Sequence, residues 1–171
     1  NLLSIIDKYL IVNDYSNALI WSKELFKLDN KYQHGIVRLK KSLQGLGKFN
    51  EIVNYRLQYA KAVESAYAYI GVLDAIQKSI EKNQHSSYEI NLAHQIGEDL
   101  LKNWGLMENV AIDVIDKYNK ILVLDNKIDI AFKITEKAFT RVKTTNDERI
   151  NKLVLTYSNL LVANGNYEGA N

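Results

Sequence analysis

The chain of 171 residues is 47% hydrophobic and 25% charged, with no cysteine, no proline and a formal charge of +2. That composition describes an ordinary soluble globular chain and excludes disorder, a collagen-like fibre and an apolar membrane span. Without cysteine there are no disulfides, thiolate nucleophiles or Cys-ligated zinc, and 22 Lys and Arg against 20 Asp and Glu lack the basic excess of a nonspecific nucleic-acid binder.

Apolar residues recur at helical spacing almost everywhere, and clean period-two alternation is hard to find, so the expected class is all-α. In chain order, Ala18, Ser22, Leu25 and Phe26 mark one face of a helix from about Ser16 to Leu28. Met107, Ala111, Val114, Tyr118 and Ile121 mark a second, and Ile150, Leu153, Tyr157, Leu160 and Leu161 a third. Breaks are expected at Asn13-Asp14, Asp29-Asn30, 45–48, 83–87, 103–105, Asp125-Asn126, 144–147 and 164–166, where Asn, Asp, Gly and Ser favour caps and turns. About nine helices and the start of a tenth follow, with loops short enough to force antiparallel neighbours. No Pro/Gly/Ser linker divides the chain, so a single domain over residues 1–171 is expected.

Asn13-Asp14-Tyr15-x-x-Ala18-Leu19 stands 34 residues before Gly47-Lys48-Phe49-x-x-Ile52-Val53, and the same signature returns at Gly165-Asn166-Tyr167-x-x-Ala170. This pattern resembles the tetratricopeptide (TPR) repeat, a 34-residue helix-turn-helix. Leu2, Ile5, Tyr9, Ala18, Leu25 and 28–30 fall at that family's packing and helix-end places in a first repeat, and Ile36, Leu39, Leu43, Ile52 and Tyr59-Ala60 in a second. Ile6 and Lys40 replace the usual small glycine, Ser22 and Arg56 the second-helix aromatic, and Asn30 the terminal proline. The resemblance implies a right-handed solenoid of antiparallel hairpins: two clear repeats over residues 1–62, irregular hairpins over 65–144 and a partial repeat over 147–171. Counting helices makes Asp125-Asn126 the end of a first helix of a hairpin. Both ends look cut, so a stretch of a larger protein is expected.

Catalytic signatures are sparse. Gly45-Leu46-Gly47 follows no strand and is read as a turn, not a phosphate loop. His94 with Glu98 has the spacing of two helical metal ligands, but two ligands make a weak site, and an exposed helix with a polar pair is the simpler reading. Asp125 to Asp129 begins like a calcium loop but puts Lys127 at the third place and an Ile where the turning glycine belongs, and the match is rejected. The pairs Asp113 with Asp116, and Asp125 with Asp129, are read as solvated charge pairing beside Lys117, Lys120 and Lys133. Tyr55 with Tyr59, and Tyr67 with Tyr69, are read as interhelical packing.

Charge is uneven: residues 1–85 carry twelve basic and eight acidic side chains, and residues 86–171 ten and twelve. Residues 30–50 contain Lys31, Arg38, Lys40, Lys41 and Lys48 and no carboxylate. The resemblance places His34, Val37, Arg38, Lys41 and Gln44 on the groove-facing side of the second repeat's first helix. The carboxylate clamp of chaperone-binding members is absent, because Leu3 and Asp7 occupy its places. The expected function is a non-enzymatic protein–protein interaction scaffold that binds a partner peptide or helix, acidic in character, in its concave groove. The alternative is a regulatory or substrate-docking region of a larger enzyme or signalling protein. No cofactor, metal or nucleic acid is expected, no Asn begins a glycosylation sequon, and the expected location is the cytoplasm.

Overall fold

The structure, a computed structural model, describes residues 1–103, 108–141 and 148–165. Among the described residues there are nine α-helices and no strands, so the all-α class holds. Met107, the break at 144–147 and the signature at 166–170 lie outside the described residues. The chain forms two compact units, Asn1–His85 and Ser86–Asn171, and the boundary coincides with the change from basic to acidic excess.

The first unit holds α1 (Leu2–Ile11), α2 (Tyr15–Leu28), α3 (Gln33–Gly45), α4 (Phe49–Val63) and α5 (Ala66–Glu81). Each helix packs on the next, and α1 also touches α3. Heptad-like spacing explains which faces meet: Ile36, Leu39 and Leu43 of α3, and Val72, Leu73 and Ile76 of α5, are almost fully buried. Each such side chain contributes about 1.5–3 kcal/mol on leaving water. Ala18 is also fully buried, and Phe26 of α2 meets Tyr55 of α4 edge-on with ring centroids 5.3 Å apart. Tyr55 therefore packs between helices as expected, but Tyr67 is 61% exposed and does not.

The second unit holds α6 (Ser87–Lys102), α7 (Glu108–Leu124), α8 (Ile128–Arg141) and α9 (Glu148–Ala163), again packed in sequence, with α7 also touching α9. Its core centres on Ile115, Ala138 and Leu153, surrounded by Leu101, Ile134 and Phe139. A polar chain runs through it: Asn119 donates to Thr135 Oγ1 at 2.6 Å, and that hydroxyl donates to the Ala131 carbonyl at 2.8 Å. The Glu89 carboxylate accepts from the Ser86 N–H at 2.9 Å, tying off the start of α6.

One turn geometry recurs. Helices α1, α3, α5, α7 and α9 each end at a left-handed residue, Asn13, Gly47, Asn83, Asn126 and Gly165, at intervals of 34, 36, 43 and 39 residues. In every case the N–H of that residue bonds the carbonyl three positions back. At the first four, the next N–H bonds the carbonyl five back, from Asp14 to Tyr9, Lys48 to Leu43, Gln84 to Ser79 and Lys127 to Leu122. This is the Schellman closure, which satisfies helix-end carbonyls through one positive φ that Gly and Asn adopt most easily. Helices α2 and α6 end without such a residue, at Asp29 and Asn103, and α4 ends at Glu64 with φ 52°. The break at Glu64 was not among those expected, because nothing in a glutamate announces a left-handed backbone. Gln84 fastens two closures in the first unit to each other, accepting from the Phe49 N–H at 2.9 Å and donating to the Gly47 carbonyl at 2.7 Å.

Candidate functional site

Helix α3 carries all five residues expected to face a partner. Their i, i+3, i+4, i+7 and i+10 spacing puts His34, Val37, Arg38, Lys41 and Gln44 along one side of the helix. His34, Val37 and Lys41 are exposed, while Arg38 and Gln44 are half-buried. His34 sits in the first turn with its ring edge-on to Tyr32 at 5.5 Å.

Toward the end of that helix an open cleft of about 720 Å³ lies against α1. Asp7, Leu10 and Ile11 line it from α1, Tyr15 from the start of α2, and Lys41, Gln44 and Gly45 from α3. The Tyr15 ring rests on Gly45, where any Cβ would collide with it, and its hydroxyl donates to Asn13 Oδ1 at 2.7 Å. Ile11 is 79% exposed and Val12, just beyond it, 69%. The structure thus brings Lys41 and Gln44 to a common cleft, whereas His34 and Val37 do not line it.

Arg38 joins this site through Asp7. Its Nε donates to Asp7 Oδ1 at 2.8 Å and its Nη2 to Oδ2 at 2.7 Å, a bidentate pair between α3 and α1. The Arg38 hydrogen bonds hold the Asp7 carboxyl below its usual range, against a smaller opposing effect of burial, and the Arg38 and Lys41 charges add to the lowering. The basic run is therefore not uncompensated as its local sequence suggested. Arg38 pairs with Asp7, Lys40 with Asp74 at 3.1 Å and Lys48 with Glu51 at 2.9 Å. Carboxylates from neighbouring helices and the next turn supply what residues 30–50 lack.

A second cluster, in the other unit, escaped the sequence. His94 of α6 is half-buried, not on an open helix face: its Nδ1 lies 3.0 Å from the Tyr118 hydroxyl and its Nε2 3.0 Å from Asp125 Oδ2. Lys127 Nζ lies 2.8 Å from both His94 Nε2 and Asp125 Oδ2. With the phenol donating to Nδ1 and Nε2–H donating to the carboxylate, the ammonium donates to that carboxylate and not to Nε2, so its 2.8 Å approach to Nε2 is a contact between two donors. The Lys127 hydrogen bond, with that of His94, holds Asp125 below its usual range. Burial, reinforced by Glu98 and Asp125, pushes the Tyr118 phenol up to about 12. Gly97, one turn from His94, makes room for the Tyr118 ring, since a Cβ there would come within 2.6 Å of it. With Tyr118 only 2% exposed, the cluster reads as a clasp between α6, α7 and the turn into α8. The shared register of His94 and Gly97, one turn apart on α6, was a sequence hint to it.

Of the other acidic residues singled out by the sequence, Asp116 forms ion pairs. Asp116 meets Lys120 at 3.2 Å and Lys117 at 4.0 Å. Asp116 is, however, 6% exposed while the Lys120 side chain is 49% exposed, so the pairing is part-buried where a fully solvated one was expected. Among the described residues no group of three or more His, Asp or Glu is placed to hold a metal ion. No described helix is long and apolar enough to cross a membrane. No family model matches the chain, and no curated protein matches its sequence.

Proposed function

We propose that the chain is a non-enzymatic interaction module built of TPR-like helical hairpins stacked as a solenoid, and that it binds an acidic segment of a partner protein between α1 and α3. The observation that carries this reading is the cleft of about 720 Å³. It joins an apolar floor, Leu10, Ile11 and the Tyr15 ring, to Lys41, an exposed cation, and to the Gln44 amide. Support for the stacked hairpins comes from the closures at Asn13 and Gly47, 34 residues apart, and from the contact of α1 with α3 across the intervening helix.

Asp7 does not repel an acidic ligand as a free carboxylate would, because Arg38 covers both of its oxygens. A peptide carrying a carboxylate beside a large aliphatic side chain matches the cleft: the carboxylate meets Lys41 and the aliphatic group enters between Ile11 and Tyr15. Electrostatic attraction of this kind acts mainly on encounter and partner choice, and weakens as salt screens it over about 8–10 Å. The test is fluorescence anisotropy with a panel of acidic, neutral and basic peptides of matched apolar content. Acidic peptides should bind best, and Lys41→Glu or Ile11→Asp should each reduce binding at least tenfold. Equal binding of all three classes, or indifference to both substitutions, removes the proposal.

A further inference from the structure

A different set of charges gathers where Lys40 of α3 meets α5. Lys40 Nζ is 3.1 Å from Asp74 Oδ2, and Lys78 Nζ is 3.5 Å from the same oxygen. The half-buried Arg56 of α4 extends across α5 at Gly71, with Nη1 3.4 Å from the point a Cβ would occupy. It interacts electrostatically with both Asp74 and Lys40. Three cations from three helices thus surround a single carboxylate, leaving an excess of two positive charges.

That excess sits in a poor place for it. The Arg56 Nε is enclosed and has no hydrogen-bond partner, and a buried guanidinium N–H without an acceptor is costly. Burial lowers the pKa of Arg56, with Asp74 and Tyr59 opposing it, and lowers that of Lys40 despite the Asp74 carboxylate, with Lys78 and Arg56 adding to the effect. Where the resemblance leads one to expect a small residue and an aromatic, the chain has Lys40 and Arg56. Solvent still reaches the group: the side chains of Lys40, Asp74 and Lys78 are 20%, 21% and 38% exposed.

We propose that Lys40, Arg56 and Lys78 form a binding site for a phosphate-type oxyanion between α3, α4 and α5. A doubly charged tetrahedral anion neutralises the excess, offers acceptors to a guanidinium fork and accepts from two ammonium groups as point charges. Asp74 holds Lys40 and Lys78 in position when the site is empty, as a positioning residue. Gly71 leaves the guanidinium free to lie flat across the helix. The site stands apart from the cleft beside Lys41 and does not depend on the function proposed for that cleft.

The experiment uses the whole chain and inorganic phosphate as the probe, with chloride replacing it at constant ionic strength. Phosphate should raise the melting temperature, since a ligand that binds only the folded state stabilises it, and should shift the amide resonances of α3, α4 and α5 in NMR spectra. Arg56→Gln should weaken phosphate binding at least about tenfold, and Lys27→Gln, an exposed substitution on α2, should leave it unchanged. If Arg56→Gln does not fold, Lys78→Gln, at the exposed rim, carries the same test. A second arm compares a phosphoserine pentapeptide with its unphosphorylated form. Tighter binding than inorganic phosphate assigns the group to a modified protein, and equal binding assigns it to a free anion; both support the site. A wild-type chain indifferent to phosphate and to the phosphopeptide, or one whose response survives both Arg56→Gln and Lys78→Gln, overturns it.

Discussion

Arg38 grips Asp7 with two parallel hydrogen bonds, 2.8 and 2.7 Å long, between helices whose paired residues are 31 apart in sequence. The pair ties α3 to α1, and the Lys41 charge also bears on Asp7. Asp7 is 44% exposed at its side chain, so water and salt screen the interaction, and Arg38→Ala should cost about 1 kcal/mol. Arg38→Glu is worse than a neutral exposed reversal, because it sets two carboxylates together, and should cost about 1–2 kcal/mol. Arg38 lowers the folded-state pKa of Asp7, so this contribution is fully present above the unfolded carboxyl's value, about 4, and is lost as the pH falls through the lower folded value. Urea midpoints at neutral and acidic pH, for both variants and wild type, check the sign and the size.

Glu64 is the residue whose backbone least suits its side chain. Its φ of 52° lies in the left-handed region, which costs a residue with a Cβ about 1 kcal/mol that glycine does not incur. Glu64→Gly should stabilise the first unit by a few tenths to about 1 kcal/mol after the larger entropy of the unfolded glycine is included. A lower midpoint for this variant in denaturant melts would contradict the assignment of strain.

Gly97→Ala should do the opposite. Its Cβ would meet the Tyr118 ring at 2.6 Å, and an aromatic ring held by a hydrogen bond at its far end has little room to retreat. A loss of about 1–3 kcal/mol is expected from overpacking. Tyr118→Leu should largely relieve the penalty of Gly97→Ala, and a double-mutant cycle gives the coupling.

Tyr118 should be the last tyrosine to ionise. Because its folded-state value is pushed up to about 12, above about 10 for the unfolded chain, its contribution to stability is complete below pH 10 and is lost as the pH rises from 10 toward 12. Ultraviolet titration of tyrosinate should show a late component that disappears in Tyr118→Phe. Titration of that component together with the exposed tyrosines would remove the case for its burial and for the clasp.

Helix positions were legible because core spacing and turn chemistry agree: Ala18, Leu39 and Leu153 are buried where the apolar period puts them, and Asn13, Gly47, Asn83 and Asn126 close helices where Asn and Gly suggest it. Glu64 was invisible because nothing in a glutamate side chain favours the left-handed backbone it adopts. The site was half legible. The helix period placed Lys41 and Gln44 on one side of α3, but the partner of Arg38 depends on how α1 lies against it, and a local count of charges cannot supply that. His94 shows the same limit, since Tyr118 and Asp125 are 24 and 31 residues away.

The recurring closure separates two properties that usually change together. Each turn at Asn13, Gly47, Asn83 and Asn126 is fixed by main-chain bonds and one left-handed residue, while the interval between turns is free to vary from 34 to 43 residues. Added residues therefore enter the helices and the other connections, as in the 17 residues of α7 against the 13 of α3, without altering how a hairpin is joined. A hairpin can thus lengthen at its open end and change the surface it offers there, while the joint that sets its direction stays the same.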